Sequence, residues 1–272
     1  MRMHIQAWRD GVPQAHRCMA AAQNAVSFLE EIASSWDECK LPACSMPEPP
    51  HTRHLLHVMW QSTREIGDPD LTPMAAVAGT IADAVADVLR EAGMTRVIVN
   101  NGGDLALRLS PGESIVVGVR PKVDHSDISG CFVLHGELGI GGVCTSGLGG
   151  RSFTRGIASA ATVLAQMASC ADAAATAIAN ATFINSPAVH RAAALNLDPS
   201  SDLHDLEVTT SVDCLSDKEA SSALDQGIAR AEKLVTKGRI AGAIITVQGR
   251  TRWTQTFPPI LEKNVPLKKE SS

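Results

Sequence analysis

A chain of 272 residues with 44% hydrophobic residues, a net charge of −5 and a pI near 6.0 has enough apolar side chain for a substantial core and is globular rather than disordered. No basic cluster offsets the acidic balance, which excludes a nucleic-acid or anionic-membrane surface as the working face. Seven cysteines, an odd number without a C-x-x-C pair, read as reduced thiols, and the absence of tyrosine removes one common acid–base side chain.

The start of the chain has no apolar run ahead of a small-residue cleavage site, so no signal peptide is expected and the predicted location is cytoplasmic. Residues 1–8 read as a first strand. Residues 15–32 read as an amphipathic helix with Met19, Val26, Phe28, Leu29 and Ile32 on its apolar side. A stretch with four prolines, 39–50, is a loop or arm. His51, His54 and His57 recur every third residue into the next helix, as a transition-metal stripe or as a polar face or subunit contact. Gly67-Asp68-Pro69-Asp70 is a turn, and Thr72-Pro73 opens a helix of small residues with Asp83 and Asp87 expected on its solvent face, metal binding being the alternative.

Residues 96–100 and 105–109 read as strands joined through Asn101, Gly102, Gly103 and Asp104. This is either a ligand loop, where paired glycines bring backbone N–H groups close, or a plain hairpin turn. Residues 114–119 and 131–135 read as further strands of an antiparallel sheet. Residues 139–150 hold six glycines in twelve positions, with no Gly-Lys-Ser/Thr, no dinucleotide fingerprint and no G-x-S-x-G elbow. Cys144 within them reads as a small buried cysteine rather than a nucleophile, and Arg151 with Ser152 just after them suits an anionic group. Residues 162–165 are a strand before a helix at 167–183, which Ser169 and Asp172 start as a capping box. Asp172 and Thr176 lie four apart on one face, a hard-cation pair at a positive helix end or merely a cap and a packed residue. A polar loop with Asp202, His204 and Asp205 precedes a helix at 217–237, a strand at 240–250 in a hairpin with 251–256, and a polar tail.

Four segments in order, T-P-M-A-A-V-A-G from Thr72, N-N-G-G-D from Asn100, V-C-T-S-G from Val143 and A-D-A-A-A-T-A from Ala171, together resemble the ApbE-like superfamily, and its cytoplasmic, largely uncharacterised branch most nearly. The resemblance implies an α+β fold of the tunnelling type, an antiparallel sheet with packed helices, over one domain at 1–262. Within it 1–70 add a strand, a helix and a proline-rich arm to a core at 71–262, and 263–272 form a flexible tail. It implies that Asp172 and Thr176 hold Mg2+ against the pyrophosphate of FAD. It also implies that Asn101, Gly102, Gly103 and Asp104, with Thr145, Ser146 and Gly147, line the flavin site; Arg151 and Ser152 join this ligand site on their own chemistry as holders of an anionic group, and a non-flavin enzyme on the same scaffold would use Asp104, Ser146 and Arg151 as its catalytic groups.

The departures are as specific. Where the better-known transferases have alanine-lysine-glycine in the first small helix, this chain has Val77-Ala78-Gly79, and their serine-histidine-isoleucine segment has no counterpart in 149–159. Three functions are therefore open. One is a magnesium-dependent flavin enzyme that transfers FMN to a client flavoprotein or cleaves FAD. The second is an enzyme on the same scaffold for a small anionic or heterocyclic metabolite. The third is a non-catalytic flavin or ligand carrier. A homodimer is expected from general frequency.

Overall fold

The computed structural model describes residues 2–50, 54–120, 128 and 130–258. The chain opens with a hairpin of β1 (Met3–Arg9) and β2 (Val12–Pro13), then the helix α1 (Ala15–Ala33), the short α2 (Trp36–Cys39) and α3 (His54–Ile66). A 3-10 turn, Pro73–Ala76, leads into α4 (Val77–Glu91), followed by β3 (Arg96–Asn101) and β4 (Asp104–Leu109). Next come β5 (Ser114–Val119), β6 (Gly130–His135), β7 (Gly142–Ser146) and β8 (Ala160–Ala165), then α5 (Ala168–Ala181). The remainder is β9 (Val189–Ala193), α6 (Ala194–Leu197), β10 (Glu207–Val212), α7 (Asp217–Thr236), β11 (Gly242–Val247) and β12 (Arg250–Trp253).

Eight of these strands pair antiparallel in the order β12-β11-β8-β7-β4-β3-β1-β2. Because strand residues point alternately to opposite faces, the sheet separates two cores. Val97, Val99, Ala106, Cys144, Ala161, Val163, Ala243 and Ile245 face the larger one, against α4, α5 and α7. Leu107, Val143, Leu164 and Ile244 face the smaller one, which the β5–β6 hairpin closes with Val117, Val119, Phe132 and Leu134. Phe132 and Phe257 meet there edge to face, 5.2 Å between centroids. Every residue of β8 and β11 is consequently buried, since both faces of the sheet are covered at that point.

The mixed helix and antiparallel-sheet architecture agrees with the expected class. The pair β5 and β6 does not extend the main sheet but forms its own two-stranded one. Five of the twelve residues of the glycine-rich stretch are not loop: β7 runs through it, and Gly142 lies so close to the backbone of Ala168 that no side chain fits between sheet and helix. The small residues of α4 act likewise, Gly79 crossing α5 at the carbonyl of Ala168 where a Cβ would overlap. The apolar side assigned to α1 is corrected: Ala21, Ala25 and Ile32 are buried and Phe28 half-buried, whereas Met19, Val26 and Leu29 are exposed. Alanine rather than Met or Val faces inward because α1 lies close over α4.

His51 and the predicted tail at 263–272 lie outside the described residues. His54 opens α3, and the Nδ1 of His57 is 3.0 Å from the carbonyl of Pro49. Among the described residues no group of three or more His, Cys, Asp or Glu could hold a metal, and no helix is long and apolar enough to cross a membrane. All seven cysteines are free.

Candidate functional site

The two small-residue helices cap each other. The sequence suggests that Ser169 starts α5, but its N-cap position is Met167 and no side chain of its own segment caps it. Instead Asp83, in the middle of α4, accepts the N–H groups of Ala168 at 3.1 Å and Ser169 at 2.8 Å. In return Asp172 of α5 accepts the N–H of Gly79 at 2.9 Å in the first turn of α4, with that of Ala78 beside it. The close crossing at Gly79 brings each acid to the unpaired donors of the other helix. Asp83 is therefore buried, 3% exposed, and not on a solvent face. Arg108 on β4 compensates it, donating from Nη2 to Asp83 at 3.0 Å and from Nε to Asp87 at 2.6 Å.

Above Asp172 opens a cavity of about 560 Å3. The tip of the β3–β4 hairpin supplies Asn101, Gly102 and Asp104; the end of β7 and the turn after it supply Thr145, Ser146, Gly147, Arg151 and Ser152; α5 supplies Asp172 and Thr176. The predicted site residues thus share one wall system, except Gly103, which is in the same turn but does not line the cavity. Residues 100–104 form the hairpin turn, and Asn101, Gly102 and Asp104 of it line the cavity. Asn100 Oδ1 accepts the N–H of Gly103 at 2.8 Å to make the turn, while Asn101 Nδ2 donates to the carbonyl of Ala78 at 3.1 Å and fixes the tip against α4. Gly102 has φ of +70°, and the Arg151 guanidinium lies across it, donating to the Asn101 carbonyl at 3.1 Å.

Two carboxyls dominate the electrostatics of this wall. Burial pushes Asp104 up to about 6, although the Thr145 N–H at 3.3 Å, the charge of Arg151 and the Cys144 thiol pull it the other way. Burial, with the nearby charge of Asp104, raises Asp172 well above the usual carboxylate range. Burial also raises the Cys144 thiol, whose Sγ lies 3.3 Å from the carbonyl of Ala168; this cysteine is packed in the core, as its sequence setting suggests. The hydroxyls of Thr145 and Thr162 are 2.8 Å apart.

Several contacts around the cavity follow from no motif. Arg155 ion-pairs with Asp68 at 3.3 Å and with Asp70, and Thr72 donates its hydroxyl to Asp202, which ties the loop at 198–203 to the entry of α4. Leu29 and Trp36 reach the cavity from α1 and α2. The Thr72-Pro73 helix start was legible, but nothing in sequence marks a loop 130 residues later as its partner. Chemically, two carboxylates with nearby hydroxyls are a hard oxygen donor set, the Arg151 guanidinium suits an anion while Arg155 is held by Asp68 and Asp70, and the volume suits a ligand of nucleotide size.

Compared with known proteins, the model of the family described as AbpE bacteria matches residues 1–253. A UPF0280 protein of Methanopyrus kandleri is 47% identical over 134 residues, 48% of this chain and 52% of its own length. Another, of Methanococcoides burtonii, is 42% identical over 122 residues, 44% of this chain and 50% of its own length. The chain spans about half the length of these curated relatives. Among solved structures, the apo form of the flavinyl transferase ApbE of Pseudomonas stutzeri superposes with a TM-score of 0.53 over 94% of this chain and 92% of that one, at 17% identity, a likeness of fold.

Proposed function

The chain belongs to the AbpE bacteria family, and from that premise we propose that its cavity binds FAD and, with magnesium, breaks the pyrophosphate, delivering FMN to the hydroxyl of a client protein or to water and releasing AMP. The observation that carries this reading is the pair Asp104 and Asp172, two carboxyls buried on one cavity wall with the charge of one raising the other. Such a pair is costly unless a proton or a cation joins it. The donor set fits magnesium, with Asp172 and Thr176 as the residues that would hold it. When bound, magnesium supplies charge neutralisation at the pyrophosphate.

The chain's own residues divide the remaining work. Arg151, fixed across Gly102 by the Asn101 carbonyl, holds an anionic group at the mouth of the hairpin. Asp104, with its carboxyl pushed up to about 6, is matched to accept a proton from the attacking hydroxyl near neutral pH. Ser146 and Ser152 face the same cavity as orienting hydroxyls, and Asn101, Gly102, Thr145 and Gly147 shape its wall.

A second reading, turnover of a small anionic or heterocyclic metabolite without flavin, is favoured by Ala78, which faces the cavity where the better-known transferases carry lysine. Calorimetric titration of FAD with and without magnesium, followed by product analysis, separates the two. Magnesium-dependent binding that Asp172→Ala abolishes, with FMN and AMP formed, is the expected result; no binding under either condition discards the flavin reading.

A further inference from the structure

The exposed side of α1 carries a second apolar face that the fold does not use. Ala15, Met19, Ala22, Val26, Leu29 and Ala33 are all exposed, Met19 at 74% and Val26 at 56%, and their spacings of four, three, four, three and four are those of a helix seam that packs against another helix. The helix is also polarised: His16 and Arg17 stand at its start, and Glu30, Asp37 and Glu38 stand at or just beyond its end.

We infer that this seam pairs antiparallel with the same helix of a second copy, forming the centre of a two-fold homodimer. An antiparallel register centred between Ala22 and Val26 sets Met19 against the second copy's Leu29, Ala22 against its Val26 and Ala15 against its Ala33, so each layer of one copy is completed by the other. The same register brings His16 beside the second copy's Glu30 and sets the two helix dipoles in opposite directions, whereas a parallel pair sets like ends side by side, where they repel. The seam is about 27 Å long, and a stable interface takes roughly 800 Å2 per partner. Val12 before it and Trp36 and Leu41 beyond it, all exposed, extend the apolar surface at both ends. Leu29 and Trp36 also line the cavity, so the second copy's Met19, packed on Leu29, covers one side of the cavity mouth.

The proposal does not rest on the flavin reading, and its test uses no flavin. Sedimentation of the purified chain over a concentration series is expected to give twice the 28.6 kDa of one chain. Val26→Glu, at an exposed position, is expected to give the single-chain mass, with an unfolding midpoint equal to that of the parent at dilutions where the parent too is a single chain. His16→Glu is expected to weaken the dimer about tenfold, and adding Glu30→Lys to restore it, because the pair is re-formed with its signs exchanged. A single-chain mass at every concentration, a dimer that Val26→Glu leaves intact, or failure of the double variant to recover overturns the inference.

Discussion

Asp83 of α4 holds the first turn of α5, and Asp172 of α5 holds the first turn of α4. The two carboxylates perform the same structural act but differ in charge balance. Arg108 compensates Asp83, while among the described residues no arginine pairs with Asp172, which faces the cavity instead. The helix crossing thereby fixes one acid as a structural group and leaves the other available to a cation.

Asp83→Ala is expected to lower the unfolding free energy by about 3–5 kcal/mol, because it leaves two buried N–H groups unpaired and Arg108 with Asp87 alone of its two acids. Asp172→Asn keeps an oxygen for the Gly79 N–H and removes a buried charge, so its unfolding midpoint should stay at or above that of the parent while magnesium binding is lost. Denaturant unfolding beside a magnesium titration checks both; equal destabilisation by the two changes would refute the division of roles.

The pH dependence of the metal-free chain follows from Asp104. Its folded-state carboxyl, at about 6, lies above the ordinary value of 3.8. Between those values the folded state retains a proton that the unfolded chain has released, so stability falls as pH rises through that window and the loss is complete above it. Asp104→Asn, still accepting from the Thr145 N–H, should therefore stabilise the chain at pH 8 by about 3 kcal/mol and have little effect at pH 4. Asp83 and Asp172 shift in the same direction and steepen the fall in the parent. Unfolding midpoints measured from pH 4 to 8 decide it; a parent whose stability rises across this range contradicts the buried-carboxyl picture.

Gly102→Ala places a methyl where the Arg151 guanidinium rests, at a positive φ. The backbone cost is about 1 kcal/mol, and the displaced arginine should weaken anion binding as much as Arg151→Ala does. Combining the two should add almost nothing further, since both remove the same contact. Additive losses of affinity in a titration of FAD would show that Arg151 acts independently of the hairpin tip.

Much of the fold was legible. The periodicities of residues 15–32, 96–100, 105–109 and 217–237 matched their elements to within a residue or two, because in each a single pattern dominates its own segment. The glycine-rich β7 was not, since glycine in a strand carries no periodic signal and its reason, the backbone of Ala168, lies elsewhere. In α1 the sequence points to the wrong face, because Met and Val are more apolar than the alanines that α4 admits.

What the sequence determined by itself was chemistry and order: small-residue helices, a glycine turn with a carboxylate, a second carboxylate four residues before a hydroxyl. Tertiary structure alone decided what each carboxylate faces. Asp83, Asp104 and Asp172 are alike as letters. Their roles diverge because burial, an arginine from β4, and a helix crossing close enough for acids to reach foreign N–H groups depend on residues 25 to 93 positions away.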